Sequence, residues 1–172
     1  PIEALRPIVA TYGIANFFTH GNEGTIFPSK VRLAPSICYE ECFSHIVRES
    51  YRAGADLLVN ITNDYWYPDS MLPSQHFEHG RLRAIELGLP LVRACNTGVT
   101  ASIDSAGRVR SAIKGEWEST ILVDTVDLTK RVTLFSLFGN WIVALSGGIC
   151  VLTEVKVFFT RKGCQTVDLK KI

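Results

Sequence analysis

The sequence predicts the α/β fold class: a layered sandwich of strands and helices, followed by a C-terminal transmembrane helix. Between residues 31 and 104, short apolar runs of strand length alternate with amphipathic helical patterns, which is typical of a sheet covered by helices. Further on, no charged residue occurs between Arg131 and Glu154. We therefore expect a soluble α/β domain over residues 1–130, a transmembrane helix over 131–160 and a cytoplasmic tail over 161–172.

The first part of the α/β pattern is a strand, a helix and a second strand. Residues 31–37 form an apolar run, preceded by a mixed segment (1–30) that we expect to be irregular. Two acids begin a helical pattern over Glu40–Ala53, and Gly54 supplies a stop. Asp56–Thr62 is nearly continuously apolar, as expected for a strand covered on both faces.

The second part adds another helix and further strands. In the helix predicted over Ser74–Leu87, Phe77, Gly80 and Ala84 face inward with Leu87. His79, Arg83 and Glu86 lie on another face, where they suggest a surface ion pair. The remaining predictions are strands at Leu91–Cys95, Val99–Asp104 and Arg108–Ile113, turns at 96–98 and 105–107, and Thr120–Val126 as the end of the soluble part.

The charge-free tail predicts a membrane span. Leu134–Thr153 is long enough to cross about 30 Å of hydrocarbon at about 1.5 Å per residue. The basic residues Arg161, Lys162, Lys170 and Lys171 follow it, and positive charge beside a span favours the cytoplasmic side. A buried core helix or a docking helix is the alternative, because Asn140 and Gly147-Gly148 interrupt the apolar run.

Composition excludes some classes of function. The net charge is +1, without a basic stripe interleaved with aromatic residues, which argues against nucleic acid as a partner. The five cysteines are an odd number and lack the spacing of a disulfide scaffold. The chain begins at Pro1 and its one methionine is Met71, so we expect a processed or truncated piece of a longer protein.

Cys38 is the leading candidate for a catalytic residue. It stands where the first strand ends and the first helix begins, and such a turn favours a thiolate through backbone N–H groups and the helix dipole. Nucleophiles are often placed at turns of this kind. The alternative is a buried structural cysteine, the common environment of a free thiol.

The residues around Cys38 leave further alternatives open. Cys38, Cys42 and His45 have a spacing that can ligate zinc, with His76 or His79 as a fourth ligand, although no second cysteine pair is present. Either of those histidines could instead act as the base of a Cys–His pair. Glu40 is a favourable first-turn acid or orients a group at the site, and the aromatic loop Tyr65-Trp66-Tyr67 could contact a substrate.

An ordered set of motifs then resembles the nitrilase superfamily of carbon–nitrogen hydrolases, and within it the apolipoprotein N-acyltransferase family. The motifs extend over most of residues 1–150, and the apolar tail resembles the last membrane helix of that family. They are Ile37-Cys38-Tyr39-Glu40, Leu57–Thr62 with Asn63-Asp64-Tyr65-Trp66, Gln75-His76-Phe77, Arg83–Leu87 and Arg93–Ala101.

The resemblance implies a partial nitrilase-type α-β-β-α sandwich and ping-pong acyl transfer at the bacterial inner membrane. A fatty acyl chain passes from a phospholipid to the cysteine, and then to the N-terminal amine of an apolipoprotein. By this resemblance Cys38 is the nucleophile, the backbone N–H of Tyr39 an oxyanion donor, Glu40 a supporting acid and Trp66 a residue of the lipid-contacting or gating loop. The catalytic domain would be periplasmic, and no metal or cofactor is implied.

One departure from the family pattern affects the expected activity. The family also uses a glutamate base and a lysine, both upstream of the cysteine, and residues 1–7 resemble sequence that follows them. We expect Glu3, Glu23 and Lys30 not to replace them, so the chain alone would be inactive or nearly so. A soluble nitrilase-type amidase piece and a non-catalytic, membrane-anchored interaction domain are the other readings.

Overall fold

The computed structural model describes residues 25–66, 70–114 and 120–164 of the chain. Its centre is a five-stranded sheet in the order β1-β2-β3-β4-β5. The strands are β1 (Leu33–Ile37), β2 (Leu57–Thr62), β3 (Leu91–Cys95), β4 (Val99–Ile103) and β5 (Val109–Lys114). The helices are α1 (Ser44–Arg52), α2 (Leu72–Leu87), α3 (Leu134–Phe138) and α4 (Trp141–Cys164), and a 3-10 helix spans Cys38–Cys42.

Strand direction follows from the connections. The strands β1, β2 and β3 are parallel, and they are joined by the crossover helices α1 and α2. Right-handed crossovers between neighbouring strands bring both helices to the same face of the sheet. The short turns at 96–98 and 104–108 allow β4 and β5 to pair antiparallel. The α/β class is confirmed.

The core lies between the sheet and these two helices. Leu58, Leu91 and Ile103 from the strands and Ala84 and Leu87 from α2 are buried there. The opposite face of β2 is open, with Ile61 60% exposed. The described residues thus form one helical layer and one sheet layer, as expected for part of an α-β-β-α sandwich. The sequence suggested that both faces of β2 are covered. Among the described residues, helices cover one face.

The helix predicted over Glu40–Ala53 is two elements. The 3-10 helix ends at Cys42, the next residue Phe43 has an extended backbone (φ −94°, ψ 95°), and α1 begins at Ser44. A 3-10 turn uses i→i+3 hydrogen bonds and holds the chain more tightly than an α-helix. The break therefore separates the residues after Cys38 from α1, and the prediction of one continuous helix is wrong.

The apolar tail also divides, so the apolar segment Leu134–Thr153 is not one continuous helix. The short helix α3 stops at Gly139, which adopts the left-handed φ of 65°, and α4 starts at Trp141. The segment Trp141–Thr160 of α4 has 20 residues, is long and apolar enough to cross a membrane, and is not buried against the rest of the molecule. It includes Glu154 and Lys156, which lie beyond the apolar segment Leu134–Thr153 but within the range 131–160 expected for the transmembrane helix.

Hydrogen bonds to backbone carbonyls connect the α/β layers to the segment that leads into α4. Arg48 of α1 donates from Nη2 to the Leu137 carbonyl at 2.6 Å and from Nε to the Phe135 carbonyl at 3.1 Å. Gly88 and Arg131 share a backbone hydrogen bond of 2.8 Å. The Arg48 side chain thus gives carbonyls of α3 a hydrogen-bond donor from α1, and the Arg131 N–H donates to the carbonyl of Gly88, which follows α2. The expectations for residues 1–24, Tyr67 and the tail from 165 lie outside the described residues.

Candidate active site

The carboxyl ends of the three parallel strands meet at one edge of the sheet. Cys38 follows β1, Asn63 and Asp64 follow β2, and Cys95 ends β3. In open α/β sheets this edge is where ligands bind, because loops from several strands converge there. The structure brings the predicted nucleophile and the predicted aromatic loop to the same edge.

Cys38 occupies a tight turn. Its φ of 52° is positive, the one such value at a non-glycine among the described residues, and its side chain is half-buried. A left-handed backbone is unfavourable for a residue with a Cβ, by about 1–2 kcal/mol. Strain of this kind persists where the surroundings hold it, and it is common at active sites. The turn is thus the type that presents a nucleophile between a strand and a helix.

Glu40 spans this turn from outside. Its Oε2 accepts a hydrogen bond of 2.7 Å from the backbone N–H of Ile37, so the side chain bridges the residues on either side of Cys38. Glu40 is exposed and therefore accessible to further partners. The neighbouring Tyr39 is 56% exposed, and its ring centroid lies 5.5 Å from that of His76 and 6.0 Å from that of Phe43.

The zinc alternative required Cys38, Cys42 and His45 on one helix face. The 3-10 geometry and the break at Phe43 remove that face, because Cys38 and Cys42 belong to a different element from His45. Within the described ranges, no group of three or more His, Cys, Asp or Glu side chains is placed to hold a metal ion. Cys42 is half-buried, and burial raises the pKa of its thiol.

Beneath the turn lies a buried cluster of four charged or ionisable side chains. We call Glu41, Asp64, His76 and Arg93 the buried cluster; each is at most 2% exposed. Arg93 donates from Nη2 to Asp64 Oδ2 at 2.9 Å and forms an ion pair with Glu41. His76 Nδ1 lies 2.7 Å from Asp64 Oδ1, and its Nε2 lies 3.1 Å from Glu41 Oε1. Opposite charges thus compensate one another inside the protein, as burial requires.

Two glycines provide the space for this cluster. A Cβ at Gly80 of α2 would overlap the Glu41 carboxylate, and one at Gly98 would overlap that of Asp64. Cys95 contacts the buried cluster. Its Sγ lies 3.4 Å from Asp64 Oδ2 and accepts a hydrogen bond from the Gly98 N–H at 3.1 Å. Burial, and next the nearby Asp64 charge, raise the pKa of the Cys95 thiol.

Sequence reasoning missed Glu41, Asp64 and Arg93 as members of one site. A usable signal was present, since Arg93 stands in the middle of an apolar strand and is fully buried in the structure. A buried guanidinium needs carboxylate partners. The sequence could therefore have predicted acidic partners for Arg93, but not which acids they are.

The structure answers the question of a histidine base. The two ring nitrogens of His76 face Asp64 on one side and Glu41 with the Cys38 carbonyl on the other. Both are therefore engaged by groups other than the thiol, and a Cys38–His76 pair of the protease kind is not formed. His79 lies on the exposed side of α2. Neither histidine has the geometry of a general base for Cys38.

The ion pair predicted on the helix surface is buried instead. Arg83 is 5% exposed and lies 3.0 Å from Glu86 through Nη2. Burial is the main cause that lowers the pKa of Arg83 and raises that of Glu86. The prediction of a surface pair is wrong because α2 is covered on this face by the segment that follows Cys38; Arg83 Nη1 donates to the Cys42 carbonyl at 3.5 Å.

Large apolar side chains surround the turn on its exposed side. Ile37 and Ile61 are neighbours in the register of β1 and β2, and Tyr65 and Trp66 follow β2. Trp66 is 76% exposed. We call these four residues with Tyr39 the apolar rim; each is at least half exposed. An exposed group of this kind marks a surface that contacts an apolar ligand, a membrane or another part of a protein.

Comparison with known proteins gives a consistent result. The family model described as carbon-nitrogen hydrolase matches residues 6–133. A protein of Chlamydia trachomatis named apolipoprotein N-acyltransferase is 40% identical over 140 residues, covering 77% of this chain and 26% of that protein. A protein of the same name from Chlamydia caviae is 56% identical over 115 residues, covering 64% of this chain and 21% of that protein.

The chain therefore spans about a quarter of the length of these relatives. Among solved structures, a carbon-nitrogen hydrolase from Helicobacter pylori G27 superposes with a TM-score of 0.53 at 21% identity. That alignment covers 64% of this chain and 46% of the other. The structural likeness bears on the fold, and it agrees with the sandwich layers described above.

Proposed function

The chain belongs to the carbon–nitrogen hydrolase family, and on this basis we propose that it is the cysteine-bearing part of an apolipoprotein N-acyltransferase. The observation that carries the proposal is one combination. A cysteine on a strained turn, bordered by the apolar rim, stands in the same chain as α4, a helix long and apolar enough to cross a membrane. An acyl donor held in a membrane would need both.

The proposed reaction has two halves, with Cys38 Sγ as the nucleophile. In the first, the thiol gives its proton to the glutamate base and attacks the ester carbonyl of a phospholipid; a C–S bond forms, the ester C–O bond breaks, and the lyso-lipid alkoxide takes that proton from the base. In the second, the amine of an apolipoprotein's N-terminal cysteine attacks the thioester; a C–N bond forms, the C–S bond breaks, and the amine's proton passes through the base to the leaving thiolate. Splitting the transfer in this way replaces one difficult step by two easier ones.

The other predicted residues take supporting roles in this proposal. The Tyr39 N–H stabilises the oxyanion that develops in each half-reaction. Glu40 holds the turn through its bond to the Ile37 N–H, and Trp66 contacts the acyl chain or gates its entry from the rim. The glutamate base and the lysine implied by the family resemblance would come from sequence that precedes Cys38.

The domain arrangement is part of the proposal. Residues 1–130 supply part of the catalytic domain in the periplasm, 131–160 include the span of the inner membrane, and 161–172 are a cytoplasmic tail. The break at Gly139 and the bonds from Arg48 would hold the α/β layers beside the membrane surface from which α4 enters.

The test is to detect the acyl-enzyme. A protein extended through any coding sequence that precedes Pro1 is incubated with phospholipid labelled in its acyl chains, and peptides are mapped by mass spectrometry. The proposal expects a hydroxylamine-sensitive acyl group on Cys38, lost in Cys38→Ser and retained in the matched control Cys42→Ser. An acyl group on another residue, or ammonia release from small amides without acyl transfer, would reject it in favour of another reaction.

A further inference from the structure

Two buried side chains contact the backbone carbonyl of Cys38. The proposed chemistry at the Cys38 thiol does not by itself explain these contacts. Asn60 Nδ2 donates to it at 3.2 Å, and His76 Nε2 lies 3.3 Å from it. Asn60 and His76 are 0% and 2% exposed. Buried side-chain donors that converge on one backbone oxygen fix the orientation of that peptide group.

Asn60 is placed by the register of the sheet. It stands opposite Ser36 in the pairing of β1 and β2, and the same Nδ2 contacts Ser36 Oγ at 3.0 Å and the Ser36 carbonyl at 3.4 Å. The Asn60 amide therefore links Ser36, near the end of β1, to Cys38, the residue with the strained backbone. A one-residue slip of register would turn Asn60 to the other face of the sheet.

His76 is placed by the buried cluster. Its Nδ1 is anchored by Asp64, and Arg93 binds both carboxylates that face the ring. The two atoms close to Nε2 are Glu41 Oε1 and the Cys38 carbonyl oxygen, and a tautomer with its hydrogen on Nε2 fits both. The Nε2–H can then be shared between Glu41 and the Cys38 carbonyl.

The consequence concerns the next residue. The Cys38–Tyr39 peptide is trans, so its C=O and its N–H point in opposite directions. A carbonyl held toward Asn60 and His76 turns the Tyr39 N–H away from the buried cluster. Tyr39 is the second residue of a 3-10 helix, so its N–H has no acceptor within that helix and is available to a ligand.

We propose that His76 and Asn60 are positioning residues that orient the Tyr39 N–H as an oxyanion donor by holding the Cys38 carbonyl. The inference rests on the proposed acyl-thioester chemistry at Cys38. It assigns to the buried cluster the task of maintaining the positive φ of Cys38 and the direction of the peptide that follows. Preorganised donors of this type need no rearrangement when charge develops.

The sequence allows a direct test of this one peptide group. Cys38-Tyr39 is the single Cys-Tyr pair among the 172 residues. Labelling with 13C-carbonyl cysteine and 15N-tyrosine therefore gives one 13C–15N coupled signal, observed for the full chain in detergent micelles. His76→Asn keeps a donor near the Nδ1 position but does not reach the Cys38 carbonyl. His76→Gln reaches it, and His79→Asn is the matched control on the exposed side of α2.

We expect His76→Asn to move the Cys38 carbonyl signal upfield and to shift the Tyr39 amide, and His76→Gln to restore both. Asn60→Ala is a second, independent variant and should shift the same signal, while His79→Asn should leave it in place. Circular dichroism confirms that each variant is folded. A signal that stays at the wild-type position in His76→Asn and Asn60→Ala overturns the proposal.

A kinetic comparison separates positioning from a general loss of structure. Acylation of Cys38 by a p-nitrophenyl ester passes through an oxyanion, whereas alkylation by iodoacetamide does not. His76→Asn should slow acylation by about 10-fold or more, part of the roughly 10²–10³-fold attributed to one oxyanion donor, and should leave alkylation within about twofold. Equal loss of both rates overturns the proposal. The comparison uses the protein extended through any coding sequence that precedes Pro1. If wild-type Cys38 in that protein is alkylated but never acylated, the proposed function fails, and the carbonyl signal alone decides the positioning role.

Discussion

Arg93 offers the sharpest test of the physical account of the site. Its guanidinium is fully buried, donates to Asp64 Oδ2 at 2.9 Å and to the Val99 carbonyl at 3.2 Å, and pairs with Glu41. Arg93→Met keeps a long apolar side chain but removes the cation between two buried carboxylates. Burial lowers the pKa of Arg93, because removal from water disfavours the charged guanidinium.

The expected loss is large. Removing one member of a buried ion pair costs about 3–5 kcal/mol, because the remaining charge stays uncompensated. For a chain of this size about 1 kcal/mol corresponds to roughly 2–4 °C in Tm, so we expect a decrease of roughly 6–20 °C. The matched control is Arg110→Met. Arg110 lies 4.0 Å from Asp104 with 60% of its side chain exposed, so its loss should cost less than about 1 kcal/mol.

The assay is thermal unfolding of the chain in mild detergent, followed by circular dichroism. A double variant, Arg93→Met with Asp64→Asn, removes one of the uncompensated carboxylates and should recover part of the Tm, since the two positions interact directly. If Arg93→Met unfolds within the range of Arg110→Met, or if the double variant loses the sum of the two single effects, the electrostatic account of the buried cluster is wrong.

Two further predictions concern close packing and the membrane helix. Gly80→Ala should lower stability by about 1–3 kcal/mol in the same unfolding assay, because its Cβ overlaps the Glu41 carboxylate. The control is Gly147→Ala, since a Cβ at Gly147 has nothing within 4 Å. Equal Tm values for the two variants would contradict the packing argument. In membrane vesicles, a variant with Cys150 as its one cysteine should resist membrane-impermeant thiol reagents and react with permeant ones, since Cys150 lies inside Trp141–Thr160. Rapid labelling by an impermeant reagent would show that α4 does not span the membrane.

Local sequence patterns were sufficient for much of the fold. β3 was predicted over Leu91–Cys95 as found, and β2 differs by one residue at its start. These strands are short apolar runs bounded by turn residues, so their limits are encoded locally. The position of Cys38 at the end of β1 was also predictable, because an apolar run stops there and acids follow.

Local patterns failed where a turn changed the helix type. The residues after Cys38 have a helical pattern, but the 3-10 geometry and the extended Phe43 depend on the positive φ of Cys38 and the bond between Glu40 and Ile37. The break at Gly139 in the apolar tail is a second case. Hydropathy locates an apolar stretch but is insensitive to where its helix begins, so the sequence did not reveal the interruption at Gly139.

The sequence by itself determined the α/β class, the strand end that carries Cys38 and the apolar tail, because each depends on neighbouring residues. Only the tertiary structure decided what lies beneath the turn. Glu41 and Arg93 pair across 52 positions of the chain, and His76 faces the Cys38 carbonyl rather than the thiol. Periodicity does not encode such pairings. They follow from the register of β1, β2 and β3 and from the space that Gly80 and Gly98 leave for buried carboxylates.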